Sequence, residues 1–133
     1  MELKRMHLLY DMWLKNPAQL ETVTAWEQVL ITAAIASGAT VLQHHFHQFS
    51  PTGITGFLLL AESHISVHTW PEERLATVDI FTCGTMKPSI ILQQLRDEFQ
   101  PEREILKEIE RGTTSVSHYS AKNLPLQSPI RLG

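Results

Sequence analysis

Residues 62–72 bring together the side chains that nucleophilic and acid–base chemistry require. The stretch reads Glu62-Ser63-His64-Ile65-Ser66-Val67-His68-Thr69-Trp70-Pro71-Glu72. It follows the apolar run Phe57-Leu58-Leu59-Leu60, which is typical of a buried strand, and Pro71 ends a regular ladder because it lacks an N–H. The pattern predicts a hairpin that presents the Glu62–Ser63 peptide bond at its turn. A serine Oγ beside the preceding carbonyl, with an imidazole near by, is suited to attack its own backbone, and a plain hairpin with a polar face is the simpler alternative. To meet His68, Ser63 must leave the strand on a bend.

Histidines elsewhere in the chain raise a metal site as a second alternative. His45 and His47 would share one face of a strand, since alternate strand residues point the same way. Together with His64 and Cys83 they would supply nitrogen and sulfur ligands of the kind that zinc and other transition metals take. The sequence has neither a zinc-type cysteine pair nor a helical His-Glu-x-x-His motif. A polar strand face therefore explains His45 and His47 more simply, and no metal is expected.

Composition narrows the class of protein. The chain has 133 residues, 43% of them hydrophobic and 19% charged, which is typical of one soluble globular domain spanning 1–133. A net charge of −3 without basic clusters argues against nucleic acid as a partner. Neither a membrane-length apolar run nor a signal-peptide pattern is present, and Cys83 is the only cysteine. We therefore expect a cytoplasmic protein with no membrane partner and no internal disulfide.

Hydrophobic periodicity and turn residues predict a strand, a helix, four further strands and a second helix before residue 100. The predicted elements are a strand at His7–Trp13, a helix from about Ala18 to Ser37 that ends at Gly38, strands over Thr40–Phe49, Ile54–Ala61, His64–Thr69 and Leu75–Cys83, and a helix from Pro88 to about Phe99. The connections between the middle strands are short. This order favours an α+β two-layer sandwich, a mainly antiparallel sheet with helices on one face.

The remainder of the chain is less regular. Another helical stretch is predicted after Pro101, on the spacing of Ile105, Leu106 and Ile109. A last strand is predicted at residues 113–118. The tail, about 113–133 and above all from residue 121 onward, is expected to be loose. A sheet covered by helices on one side leaves its other face open, and a homodimer or larger assembly is therefore expected.

The central motif resembles the bacterial and archaeal S-adenosylmethionine decarboxylase proenzymes. The resemblance rests on residues 62–72, on Val78-Asp79-Ile80-Phe81-Thr82-Cys83-Gly84, and upstream on Phe46-His47-Gln48-Phe49-Ser50-Pro51 and Gly53-Ile54-Thr55-Gly56. It covers about residues 6–112. Two features depart from the family pattern: Arg5-Met6 stands where a glycine usually precedes His-Leu-Leu, and the tail is longer.

The resemblance implies self-cleavage into a β chain of residues 1–62 and an α chain of residues 63–133. Ser63 would attack the Glu62 carbonyl, and the resulting ester would eliminate to leave a pyruvoyl cofactor derived from Ser63. Thr55 would stabilise the carbonyl and His68 would accept the proton. The ketone would form a Schiff base with the substrate amine, and Cys83 would return a proton after decarboxylation.

The resemblance also implies the small-molecule substrate, and self-cleavage would turn the expected homodimer into paired αβ units. Phe49 and Trp70 would flank the adenine and sulfonium of S-adenosylmethionine, and Glu72 would take the ribose hydroxyls. The product would be the aminopropyl donor for spermidine synthesis, and the assembly a dimer of αβ heterodimers. Three alternatives remain at this point: the same chemistry on arginine or ornithine, a His/Cys metal-binding protein, and a non-catalytic partner subunit of the same fold.

Overall fold

The structure, a computed structural model, describes residues 4–113 and the backbone of residues 119–123. Within these residues the chain forms seven strands and two α-helices. They are β1 (Arg5–Trp13), α1 (Val23–Ala36), β2 (Val41–Gln48), β3 (Ile54–Leu60), β4 (His64–Trp70), β5 (Leu75–Cys83), α2 (Pro88–Phe99), β6 (Arg103–Arg111) and β7 (Tyr119–Asn123). Short 3-10 turns at Pro17–Leu20 and Pro71–Glu73 precede α1 and β5.

The seven strands form one antiparallel sheet in the order β2-β3-β4-β5-β1-β6-β7. The hairpins β2–β3, β3–β4 and β4–β5 follow the chain, whereas β1 lies between β5 and β6. Both helices belong to the second layer. The predicted α+β two-layer sandwich is therefore confirmed.

The hydrophobic core lies between the sheet and the two helices. Alternate residues of the central strands point into it and meet the apolar stripe of each helix. The fully buried members include Tyr10, Met12, Ile65, Val67, Ile80, Trp26, Leu30, Ile91 and Leu95. Trp26 and Phe99 stack across the two helices with ring centroids 4.1 Å apart. Burying each large apolar side chain stabilises the fold by about 1.5–3 kcal/mol.

No helix in the described ranges is long and apolar enough to cross a membrane.

Helix α1 begins at Val23, so the predicted start near Ala18 was wrong. Residues 17–20 form a separate 3-10 turn, which the Asn16 side chain begins by accepting a hydrogen bond from the Ala18 N–H at 3.0 Å. Thr22 is extended, with φ −102° and ψ 97°, and this interrupts the helical path. The apolar spacing runs through both segments, which is why periodicity alone joined them.

The helix predicted after Pro101 was also wrong, because residues 103–111 form β6 and pair with β1 along its length. Residues 114–118, where most of the predicted last strand falls, lie outside the described residues. Residues 119–123 form β7 and pair with β6. The part of the predicted loose tail at 121–123 is thus ordered in the sheet, and residues 124–133 lie outside the described part.

The face of the sheet opposite the helices is called here the open face. It carries apolar side chains that the chain itself leaves uncovered: Phe57 is 43% exposed, Leu59 40% and Trp70 38%. Leu9 and Phe81, on β1 and β5, are half-buried on the same face. Several exposed apolar side chains on one face of a sheet favour an interaction surface.

Candidate active site

The Glu62–Ser63 peptide bond lies in the turn that joins β3 to β4. β3 ends at Leu60 and β4 begins at His64, so residues 61–63 belong to neither strand. The Leu60 N–H donates a 2.8 Å hydrogen bond to the Ser63 carbonyl and closes the turn. Glu62 and Ser63 are half-buried. The chain bends at Ala61 and Glu62, immediately before Ser63. The Glu62–Ser63 peptide bond therefore lies outside the ladder, where a change of its geometry does not disrupt the strands.

Cys83 lies at the same end of the sheet. β4 and β5 pair as far as His64 opposite Phe81, and Cys83 lies two residues beyond Phe81, at the end of β5 on the side of the β3–β4 turn. Neighbouring strands are about 4.8 Å apart. Cys83 has the same parity as Phe81 and therefore faces the open side, where its thiol is half-buried. Glu62, Ser63 and Cys83 together are called the turn cluster.

A cavity of about 330 Å³ lies at the opposite end of β3 and β4. Its wall is formed by Phe49, Thr52, Gly53, Ile54, Thr55, His68, Thr69, Trp70 and Glu72. All three residues predicted to bind the substrate thus line one cavity together with two residues predicted to act on the backbone. These five, Phe49, Thr55, His68, Trp70 and Glu72, are called the cavity cluster.

Thr55 and His68 are directly paired across β3 and β4. Their side chains share a 2.9 Å hydrogen bond between Thr55 Oγ1 and His68 Nδ1, which fixes the plane of the imidazole. The Trp70 ring lies beside it, with centroids 6.0 Å apart. An oriented imidazole with its second nitrogen directed away from this bond is the arrangement that proton transfer requires.

A tight loop and a buried hydroxyl hold the cavity wall in place. The Phe49 N–H donates to the Gly53 carbonyl at 2.8 Å, and Gly53 has φ +104°, a conformation that favours glycine. Thr69 Oγ1 accepts from the Ile54 N–H and donates to the Leu20 carbonyl, both at 2.9 Å. Sequence reasoning missed Thr69. The available signal was a hydroxyl at a position whose parity belongs to the core.

The two clusters lie far apart within one chain. Ser63 and His68 are five residues apart along β4, which at about 3.3 Å per strand residue is roughly 16 Å. The bend before Ser63 therefore does not bring it to His68 of the same chain. Ser63 and Cys83 thus lie at one end of the sheet, and His68 lies with the predicted substrate-binding residues at the other end.

Polar side chains occupy the centre of the open face between the two clusters. His7 Nε2 lies 3.2 Å from Asp79 Oδ1, and the Ser66 hydroxyl donates to Asp79 at 3.4 Å. On the same face, burial raises the pKa of the Asp11 carboxyl. The positive charge of Lys107 lowers this pKa, and the negative charge of Asp79 raises it further. Sequence reasoning missed this network.

The residues of the metal alternative do not converge. His45 and His47 lie on β2, which is an edge strand, and the His47 ring contacts Phe49 edge-on with centroids 4.7 Å apart. Across residues 4–113, no three His, Cys, Asp or Glu side chains approach closely enough to hold a metal ion.

Comparison with known proteins gives one consistent result. The sequence profile of the S-adenosylmethionine decarboxylase family matches residues 6–112. The S-adenosylmethionine decarboxylase proenzyme of Thermodesulfovibrio yellowstonii is 39% identical over 87% of this chain and 85% of its own length. That of Parasynechococcus marenigrum is 41% identical over 92% of this chain and 96% of its own length. The crystal structure of adenosylmethionine decarboxylase from Aquifex aeolicus superposes with a TM-score of 0.76 at 35% identity, covering 86% of this chain and 96% of the other.

Proposed function

This chain belongs to the S-adenosylmethionine decarboxylase family, and we infer that it removes the carboxylate of S-adenosylmethionine with a pyruvoyl group made from its own Ser63. The observation that carries the substrate assignment is the 330 Å³ cavity, which collects Phe49, Trp70 and Glu72 in one wall. Two aromatic rings suit a flat base and a cationic sulfonium, and a carboxylate suits a diol. The proenzyme names of the relatives support formation of the pyruvoyl group by self-cleavage.

Self-cleavage begins at the turn between β3 and β4. Ser63 Oγ attacks the Glu62 carbonyl carbon, and the C–N bond breaks as the ester C–O bond forms. Removal of the Ser63 Cα proton then breaks the Cβ–O bond, leaving Glu62 as a carboxylate. One water replaces the nitrogen of residue 63 and ammonia leaves, so that residue 63 ends as a ketone. In this proposal His68 of a second copy of the chain is the base for these proton transfers, and Thr55 beside it holds its imidazole in orientation.

The residues present fit a pyruvoyl group at position 63. Residue 63 stands outside both strands, its carbonyl is held by the Leu60 N–H, and it is half-buried, so a group there is both fixed and reachable. A pyruvoyl group at this position would supply an electrophilic ketone for the substrate amine and an electron sink for decarboxylation. Cys83, at the same end of the sheet, supplies the proton to the carbon that loses carbon dioxide.

A second copy of the chain completes the site in this proposal. Because the turn cluster and the cavity cluster of one chain are roughly 16 Å apart, one chain alone does not assemble Ser63 with His68. Two copies that pair through the open face in opposite directions would place the turn cluster of each over the cavity cluster of the other. The exposed Phe57, Leu59 and Trp70 support this face as the contact. A two-fold axis then produces two equivalent sites.

The substrate assignment is tested by carbon dioxide release measured side by side from S-adenosylmethionine, arginine and ornithine. We expect turnover of S-adenosylmethionine only. Phe49→Ala and Trp70→Ala should each raise its KM roughly threefold to tenfold, since each removes one aromatic contact. Ile35→Ala is the matched control, because Ile35 is 61% exposed on α1 and lines no part of the cavity. Turnover of either amino acid without turnover of S-adenosylmethionine would overturn the assignment.

A further inference from the structure

The turn that carries the scissile bond is attached to a segment that the mechanism does not use. Residues 37–40 connect α1 to β2 and are called the α1–β2 connection. The Ala61 N–H donates to the Thr40 carbonyl at 2.9 Å, and the Thr40 N–H donates to Glu62 Oε1 at 3.0 Å. One residue, Thr40, therefore binds two consecutive residues on the acyl side of the Glu62–Ser63 bond.

The α1–β2 connection is itself held firmly. Ser37 is 2% exposed, and its hydroxyl donates to the Ala34 carbonyl at 2.6 Å. The Lys87 N–H donates to the Ser37 carbonyl at 2.9 Å, which ties in the loop that follows Cys83. The α1–β2 connection thus holds both the β3–β4 turn and the loop that follows Cys83. The connection is itself anchored at Ser37, at the buried end of α1.

We propose that Thr40 is a positioning residue for self-cleavage, holding the acyl side of the Glu62–Ser63 bond through its main-chain N–H and C=O. The inference rests on the proposed function. The tip of a hairpin is free to move unless it is bound, and attack requires Ser63 Oγ to stay about 3–3.5 Å from the Glu62 carbonyl carbon. The Leu60 N–H fixes Ser63 and Thr40 fixes Ala61 and Glu62, so both reacting partners are restrained. Neither bond at Thr40 involves the C–N bond that breaks, and the acyl end accordingly stays in place after cleavage.

The test compares two substitutions of Thr40 in the full chain. Thr40→Pro removes the N–H and keeps the carbonyl, whereas Thr40→Ala keeps both and loses only an exposed side chain. The cleaved fraction is followed over time after a pulse of cell-free synthesis, and thermal unfolding of each variant is recorded. Thr40→Pro should cleave roughly threefold to tenfold more slowly than wild type, and Thr40→Ala at the wild-type rate.

A double-mutant comparison separates positioning from a general structural effect. If the N–H acts through the Glu62 carboxylate, Thr40→Pro should add little to the slowing caused by Glu62→Ala. The proposal would be overturned, with the function intact, if Thr40→Pro slowed cleavage equally in the wild-type and Glu62→Ala backgrounds, or if it cleaved at the wild-type rate.

A second pair of variants serves if Thr40→Pro fails to fold. Glu62→Gln keeps an acceptor oxygen and should cleave faster than Glu62→Ala, and equal rates would overturn the proposal. A wild-type chain that never cleaves would remove both proposals.

Discussion

The hydrogen bond between Thr55 and His68 joins two side chains of the cavity cluster. They face each other on paired strands, and the 2.9 Å contact leaves the imidazole little freedom to rotate. Cys83 has no part in this arrangement, because it lies at the far end of β5 beside the turn. In the proposed mechanism the two ends of the sheet therefore have different roles, with His68 as the base for self-cleavage and Cys83 as the proton donor in turnover.

Substituting the two residues separately should expose that division. His68→Ala should slow self-cleavage about 10²-fold or more, since it removes the general base. Cys83→Ala should still cleave and still carry the ketone, but lose most decarboxylase turnover. The measurements are cleavage by denaturing gel and carbon dioxide release from the same preparations. Loss of cleavage in Cys83→Ala at unchanged folding would contradict the assigned roles.

The sequence predicted the face of the sheet on which the candidate residues lie better than their arrangement along it. The alternation around Ile65 and Val67 placed His68 on the face away from the core, and the structure agrees. Thr69 was missed because its partners, Leu20 and Ile54, come from distant parts of the chain. The distance between Ser63 and His68 follows from the length of β4, and sequence alone did not show that the two clusters lie at opposite ends.

At the scale of elements, a buried carboxylate joins β6 to β1 and α2. Glu104, 2% exposed, accepts hydrogen bonds from the Tyr10 hydroxyl at 2.6 Å and from Arg96 Nε at 2.8 Å. Burial raises the pKa of Tyr10 further above its ordinary value, with Glu104 adding to the effect, so the phenol keeps its proton and donates. The three partners fix α2 over the sheet.

Removing this carboxylate should destabilise the fold. Glu104→Leu leaves the Tyr10 hydroxyl without its acceptor and Arg96 without its charge partner, at a cost of about 2–4 kcal/mol in the free energy of unfolding. Urea unfolding in a Ser63→Ala background keeps the chain uncleaved. Glu98→Gln, an exposed change on α2, should shift stability by less than about 0.5 kcal/mol. Equal midpoints for the two variants would show that the network does not stabilise the fold.

Strand β6 shows why local sequence patterns wrongly predicted a helix after Pro101. Residues 103–111 contain many helix formers, and the two β-branched residues Ile105 and Ile109 are too few to favour a strand over a helix. Pairing with β1, almost a hundred positions earlier, decides the structure, and tertiary context overrides local propensity. The hairpins β3–β4 and β4–β5 were predicted correctly because their partners are adjacent in the sequence.

At the scale of the molecule, the two products of cleavage would remain interleaved. In the order β2-β3-β4-β5-β1-β6-β7, residues 1–62 supply β1, β2 and β3, and residues 63–133 supply the rest. Three junctions, β3–β4, β5–β1 and β1–β6, would join one product to the other by ladder hydrogen bonds. The α and β chains should therefore separate only on denaturation.

Mixing two inactive variants tests whether two copies share a site. Ser63→Ala lacks the nucleophile and His68→Ala lacks the base, so neither homodimer should cleave efficiently. In a mixed dimer, His68 of the first variant meets Ser63 of the second, and co-expression should restore cleavage of the His68→Ala chain alone. A His68→Ala chain that stays uncleaved beside its partner would place both residues of a working site in one chain.

The central claim is self-cleavage at one peptide bond, and intact mass measurement tests it most directly. Wild-type protein should give two chains, residues 1–62 and residues 63–133. The second should be lighter than a serine-initiated chain by the mass of ammonia, because a ketone replaces the amine. Ser63→Ala should remain one chain of 133 residues. A wild-type chain that stays full-length and unmodified after long incubation would contradict the account.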